Sequence, residues 1–400
     1  MTGTACTAVL NGYLAAVTAS AALRRRRQPA APTPEPTHRL AVLIPAHDEE
    51  RIIGSTIDSV VRQRYPTHLV SVHVVADNCT DGTAEVARLN GATVHERHDP
   101  ADPGKGPALG WLVAQLDRAG DPPDAVVILD ADTHMAPDVL RLVDVALAED
   151  RSAWQTYYTV RDPELSPSTA VRHAALVLRH YVRPLGRTAL GASSGLFGNG
   201  MVFRWEVLAK RRFSAHLTED VEFQLELLLA GERVGFLPDA VVEAEMPATL
   251  EAARTQNERW ELGRAQLARR YVPRLLAKAA GRRQPYRIAH VDAALDQLVP
   301  PLSVLLAATI SATAASATAA VIGGHGRSRL GRAGTMLSLV SLGGFVAHVL
   351  GGLRVARVPR SVYAALLHAP RAVVWKVVLW LRVLLRPDRV SWTRTRRNAP

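Results

Sequence analysis

From Arg39 onward the chain alternates short, continuous apolar runs with longer stretches whose apolar residues recur every three or four positions. RLAVLIPA (39–46), VSVHVVAD (70–77), ATVHER (92–97) and AVVILDAD (125–132) read as strands. EERIIGSTIDSVVRQ, with Ile52, Ile53, Ile57, Val60 and Val61 in helical register, reads as a helix. So do GTAEVARLNG, stopped by Gly91, and GPALGWLVAQLDRAG. Strand–helix alternation with strands apolar throughout predicts an α/β domain whose mostly parallel sheet is covered on both faces. Ligands on such sheets gather beyond the carboxyl ends of the strands. Three polar clusters fall there: Ala46–Glu50, Asp77–Asp81 and Asp130–Asp132.

Outside that stretch the pattern is that of membrane helices. Ala5 to Leu23 is apolar apart from Asn11 and a few Ser/Thr, close to the length that crosses a bilayer. Arg24–Arg27 follow it, whereas a secretory signal carries its charge in front. The expectation is an anchor with its amino end outside, followed by a stiff spacer, QPAAPTPEPT. Leu298–Ile322 and Gly334–Leu353 read as two further spans. In APRAVVWKVVLWLRVLLRPDR, Arg371, Arg382, Arg386 and Arg389 share one helical face, which suits a helix lying in the membrane interface. The chain then divides into an anchor with its basic flank (1–27), a linker (28–38), a cytoplasmic α/β domain (39–285), and a membrane hairpin, interfacial helix and basic tail (286–400).

A net charge of +11 with pI near 10.2 raises the question of nucleic acid. The location of the charge answers it. Residues 351–400 hold eleven Lys/Arg and a single Asp, Asp388, so this tail supplies nearly all of the excess. Basic residues beside apolar runs mark membrane flanks, not a nucleic-acid surface. Two cysteines, Cys6 and Cys79, make no disulfide framework.

Asp130 and Asp132 end an apolar strand one residue apart, and side chains two apart on a strand point the same way. Their repulsion calls for a positive partner, and Mg²⁺ is commonly held by one or two carboxylates plus substrate phosphates. The bland alternative is an edge strand meeting solvent, with Asp132 capping the next helix. GASSG (191–195) matches a nucleophile-elbow pattern but lacks the strand before and the helix after that the elbow needs. PGKGP (103–107) is no P-loop, although Lys105 in a turn before a helix could meet a phosphate or simply be solvated. Glu219 and Asp220 stand in the first turn of a helix after Thr218, where acids complement the dipole whether or not they react. Gln256 and Arg259 lie three apart on a helix and share a face, beside Trp260. Arginine grips phosphate bidentately; the indole is a stacking surface or a buried anchor.

In order, Asp77, Asp130-Ala131-Asp132, Thr218-Glu219-Asp220 and Gln256-x-x-Arg259-Trp260 resemble the membrane-bound family 2 glycosyltransferases, which include the cellulose, chitin and hyaluronan synthases and ceramide glucosyltransferases. The resemblance covers about residues 39–270. It implies a GT-A fold with membrane helices at both ends and a cytoplasmic catalytic domain in an integral membrane protein. The implied partners are a UDP-sugar, a lipid or polysaccharide acceptor and membrane lipids, with no nucleic acid. By the same resemblance Asp220, assisted by Glu219, is the base of an inverting displacement, and Asp132 with Asp130 holds Mg²⁺ or Mn²⁺. Pro45, Ala46, Glu49 and Asp77 match nucleotide contacts. Lys105 and Arg259 add positive charge at the leaving group. Gly198, Asn199, Gln256 and Trp260 match the acceptor side. The favoured reaction is transfer of one sugar to a lipid-linked acceptor, with a processive polysaccharide synthase as the alternative. An enzyme that makes sugar nucleotides, or an inactive membrane scaffold, would share the sheet without a reason for the full motif set.

Overall fold

The computed structural model describes residues 2–26, 35–211, 213–214, 216–245, 249–281, 285–322 and 329–385. The linker residues 28–34 and the basic tail from 386, with Arg386 and Arg389, lie outside them, as does Arg27. The chain divides into two compact units, each assembled from separated stretches: Pro29–Arg161 with Ser193–Met246, and Met1–Gln28 with Asp162–Ala192 and Pro247–Pro400.

The first of these is the α/β unit. Its strands are β1 (Leu40–Ala46), β2 (Val70–Asp77), β3 (Thr93–Arg97), β4 (Ala125–Ile128), β5 (Thr133–Met135), β6 (Ala153–Val160), β7 (Met201–Arg204) and β8 (Val234–Ala244). They form one sheet in the order β3-β2-β1-β4-β7-β6-β8-β5. β3, β2, β1 and β4 run parallel, while β7 runs against both β4 and β6 and β5 runs against β8. β6 and β8 are parallel, with a shift in register after Thr156. The sheet is therefore mixed and mostly parallel, as the alternation predicts.

β1 shows why its sequence is apolar at every position. Leu40, Val42 and Ile44 enter one buried cluster with Ile53, Ile57 and Val60 of the helix Ile53–Val61, and Ala41 and Leu43 enter another on the opposite face with Leu109 and Leu112. A parallel strand covered on both faces has no solvent side to mark with polar residues. The helix Thr83–Leu89 ends as expected, two residues before Gly91 at φ 90°.

The second unit is helical. Among the described residues, four of its helical stretches are long and apolar enough to cross a membrane: Gly3–Arg26, Leu302–Ala320, Arg332–Ala356 and Arg360–Leu385. The last contains Ala369–Leu385, the stretch whose arginine face suggests an interfacial helix. Polar side chains join these helices. Asn11 donates to Thr309 and Ser341 at 2.9 Å each, and Thr18 and the His348 ring meet at 2.7 Å. Within hydrocarbon such groups must satisfy one another, and the small residues around them permit the close approach. Lys376, one of the cations in the last of these stretches, is covered by Glu261 at 2.8 Å and Asn257 at 2.6 Å.

Candidate active site

The carboxyl ends of β1, β2 and β4 bring the predicted polar clusters to one rim of the α/β unit. β1 ends at Ala46, with Pro45 before it, and the His47 ring nitrogen Nδ1 meets the Asp77 carbonyl at 2.7 Å, tying the ends of β1 and β2 together. Glu49 begins the next helix through its backbone: its carbonyl accepts from Ile52 and Ile53, and its N–H donates to Thr83 Oγ1 at 2.7 Å. Asp77 is buried, and Arg97 of β3, its partner in the ladder, donates to Oδ1 at 2.6 Å. The Gly104 N–H approaches the other carboxylate oxygen at 3.3 Å. Asp77 thus holds the turn that launches the helix Lys105–Ala119. The motif reading missed Arg97; the signal available was a cation closing an otherwise strand-like segment, followed by Asp99 and Asp102, which it also contacts.

The strand before the carboxylate pair stops at Ile128, earlier than the apolar run suggests. Asp130–Thr133 is a turn, closed by the Thr133 N–H on the Asp130 carbonyl at 3.2 Å, and leads directly into β5. The same-side argument for two residues on a strand therefore does not apply. The capping alternative fails as well, because a strand and not a helix follows Asp132.

Lys105 is the hub of the site. Its ammonium donates to Asp130 and, at 2.5 Å, to the Gly198 carbonyl. Burial alone would push its pKa down; Asp130, Glu219 and Asp220 outweigh that and hold it above the ordinary lysine value. One cation thus gathers three of the predicted acids. Gly198, at φ 78°, lies against Asp220: a Cβ added there would stand 3.4 Å from Asp220 Oδ2 and 3.7 Å from the Lys105 nitrogen. The contact is an ordinary one, and it is the left-handed backbone that favours glycine there. Asn199 is fully buried, accepts from the Asp130 N–H at 3.1 Å and donates to Thr133 at 2.7 Å, so it locks the Asp130 turn to the glycine loop. Gln155, in the middle of β6, holds the same loop by donating to the Asn199 carbonyl at 2.7 Å and accepting from Phe197. Gln155 is fully buried, in a role that no spacing in the sequence announces.

Glu219 and Asp220 open the helix Glu219–Leu229, half-buried, with Thr218 before them making no side-chain cap. The dipole at that end favours their ionised forms. Gln256, Arg259 and Trp260 belong to the helical unit, half-buried in the helix Arg254–Ala280. The serine-nucleophile pattern is excluded: Ser193 and Ser194 are fully buried, and each hydroxyl donates to a backbone carbonyl.

Two carboxylates in a turn make an incomplete, hard-oxygen ligand set. Among the described residues the cluster with three ligand-type side chains is His47, Asp48 and Cys79, and Asp130 and Asp132 belong to none. An ion at the Asp130 turn would complete its shell with substrate oxygens and water, which suits Mg²⁺ or Mn²⁺. The Asp130 side chain is 36% exposed and open to such a ligand.

Residues 36–263 match the glycosyltransferase-like family 2, and the chain belongs to that family. Its α/β unit is a GT-A domain. Among curated relatives, the β-monoglucosyldiacylglycerol synthase of Synechocystis sp. is 28% identical over 236 residues, covering 57% of this chain and 48% of the relative. The 4,4'-diaponeurosporenoate glycosyltransferase of Staphylococcus aureus is 44% identical over 79 residues, 20% of each chain. A mannosyltransferase from Pyrobaculum calidifontis, solved with GDP-Man and Mn²⁺, is 20% identical with a TM-score of 0.49, covering 86% of this chain and 99% of its own. The chain spans about half the length of the curated relatives that it matches over more than 200 residues.

Proposed function

We propose that the protein is an inverting glycosyltransferase that moves a sugar from a UDP-sugar to a lipid acceptor at the cytoplasmic face of a membrane. The observation that carries the chemistry is the convergence of Lys105, Asp130, Glu219 and Asp220 around the Gly198 loop. A displacement at the anomeric carbon needs a base for the acceptor hydroxyl and positive charge for the departing diphosphate. Asp220 is the base: a half-buried carboxylate at a helix start, beside Gly198 and the Lys105 ammonium. Glu219 stands beside it and adds to the field that keeps Lys105 charged. Lys105, at the first position of a helix, offers its ammonium and the helix dipole to phosphate oxygens. Asp132 and Asp130 would hold Mg²⁺ or Mn²⁺, which as a Lewis acid supplies further charge neutralisation on the diphosphate. Pro45, Ala46, Glu49 and Asp77 are assigned to the nucleotide, and Asn199, Gln256, Arg259 and Trp260 to donor and acceptor binding, on the family motif.

Two observations favour a lipid acceptor over a growing polysaccharide. The most extensively matched relative quoted above is named for a glucosyl-diacylglycerol product. The apolar spans are also joined by direct side-chain bonds, Asn11 to Thr309 and Ser341, where a hydrophilic polymer would need an open polar conduit. Purified full chain given a panel of labelled UDP-sugars and membrane lipids should yield a short, organic-soluble product. A ladder of lengthening water-soluble chains would establish polymer synthesis instead. Replacing Asp132 by Ala should weaken UDP-sugar binding strongly when divalent cation is present and little in EDTA, measured by titration calorimetry. Equal losses under both conditions would remove Asp132 from the metal.

A further inference from the structure

The helical unit contains a concentration of buried charge that sugar transfer does not use. Arg179, Arg183 and Arg187 follow one another at intervals of four along the helical stretch Leu178–Ala189. Arg183 pairs with Asp296, and Arg187 pairs with Asp292 at 2.7 Å and with Asp296 at 3.4 Å. The Tyr13 hydroxyl adds a bond to Asp292 at 2.9 Å. Arg264 comes from a different helix and donates to the Val299 carbonyl at 2.6 Å. Asp296 lies in the field of all four arginines. The neighbouring acid, Glu261, is already bridged to Lys376 at 2.8 Å.

Four arginines therefore share two aspartates, and the surplus is visible atom by atom. Arg179 makes no hydrogen bond or ion pair among the described residues. Arg187 is 3% exposed, and its Nη2 has no acceptor among them. The end of the helix Arg287–Leu298 gives a structural reason for two of the cations, since Arg183 and Arg264 reach its last carbonyls and complement its dipole. It gives none for Arg179 or for the idle Arg187 nitrogen. Buried cations are costly without a counter-charge, and guanidinium is the side chain best shaped for phosphate.

Position selects the source of the anion. The helix Arg287–Leu298, which carries both aspartates, and Val299 after it stand immediately before Leu302, where a candidate span opens. The cluster thus sits where a span meets its flank, the depth of lipid head groups, and basic pockets between membrane helices bind such groups. Arg179 and Arg264 are half-buried, so a head group can reach them. We propose that this arginine cluster binds the phosphate of an anionic membrane lipid, held as an anchor and distinct from the lipid that accepts sugar. The crowding is consistent with this: burial, then Arg264 and Arg183, bring Arg179 down to about 9, a strain that a bound phosphate relieves.

The test uses the full chain in uncharged detergent, read by native mass spectrometry with phosphatidylglycerol, diacylglycerol or inorganic phosphate added. Phosphatidylglycerol should stay bound and diacylglycerol should not. Arg179→Gln should weaken retention at least about tenfold, the scale of one charged hydrogen bond, with an unchanged melting temperature, and Arg179→Lys should keep most of it. Equal retention of the two lipids, unchanged retention in Arg179→Gln, or displacement of the lipid by equimolar inorganic phosphate would each overturn the assignment. Should Arg179→Gln fold poorly, hydrogen exchange of the wild-type chain decides: phosphatidylglycerol, and not diacylglycerol, must slow residues 178–189.

Discussion

Asp220→Asn should leave UDP-sugar binding near its original strength and lower turnover by about 10²–10⁴-fold, the contribution of a positioned base. The reasoning is local. The substitution keeps shape beside Gly198, where an added Cβ would stand 3.4 Å from Oδ2, so the loop has no steric reason to move. It removes the one property a base must have, an ionised oxygen able to take the acceptor proton. Glu219, adjacent on the same helix turn, remains and continues to hold Lys105 charged together with Asp130. Binding and chemistry should therefore separate: calorimetry of the donor unchanged, single-turnover release of UDP slowed. Turnover near that of the parent would transfer the role to another residue, with Glu219→Gln the next variant to measure.

Arg97→Leu should destabilise the α/β unit by about 3–5 kcal/mol, the usual result of removing one partner from a buried ion pair. The two side chains are 6% and 7% exposed, so Asp77 would be left as a carboxylate without its counter-charge. The cost should concentrate at β2 and β3, where hydrogen exchange is expected to accelerate. A second change, Asp77→Leu, should restore a large part of the stability, because two apolar groups bury more easily than one orphaned charge. Donor binding should not return with it, since Asp77 also anchors the Gly104 N–H ahead of Lys105. Exchange in β2 and β3 equal to that of the parent would show that the pair is structurally idle.

The parts of the fold legible in the sequence were those with a simple period. β1 and β4 were readable because strands buried on both faces are apolar without interruption, and the helix Ile53–Val61 because its isoleucines and valines repeat at helical spacing. β6 and β8 gave no such signal. β6 buries Gln155 and Thr156 in the service of the glycine loop, which breaks the apolar pattern. β8 carries Pro238 where its pairing with β6 shifts register, and proline within a run argues against a strand. In the site, Asp77, Asp130, Lys105, Gly198, Asn199, Glu219 and Asp220 could be named from motifs. Their connections could not. Arg97 and Gln155 position those residues through contacts between strands distant in sequence, and no spacing rule reports a partner 20 or 44 residues away. The arginine cluster was invisible for the same reason, its aspartates arriving 105 and 113 residues after the arginines they pair with.

The interleaving of the two units has a consequence for biogenesis. The last strand of the sheet, β8, ends at Ala244, so every strand has been synthesised before the helix Arg254–Ala280 begins. The helical unit has to wait. Asn11 meets its partners in Thr309 and Ser341 only after 298 and 330 further residues, and Tyr13 its aspartate after 279. For most of translation the first span and the Arg183–Arg187 helix carry polar groups whose answers do not yet exist. Until then those groups have no partner within the chain, which makes assembly of the helical unit the slow, non-local step and the sheet unit the early one.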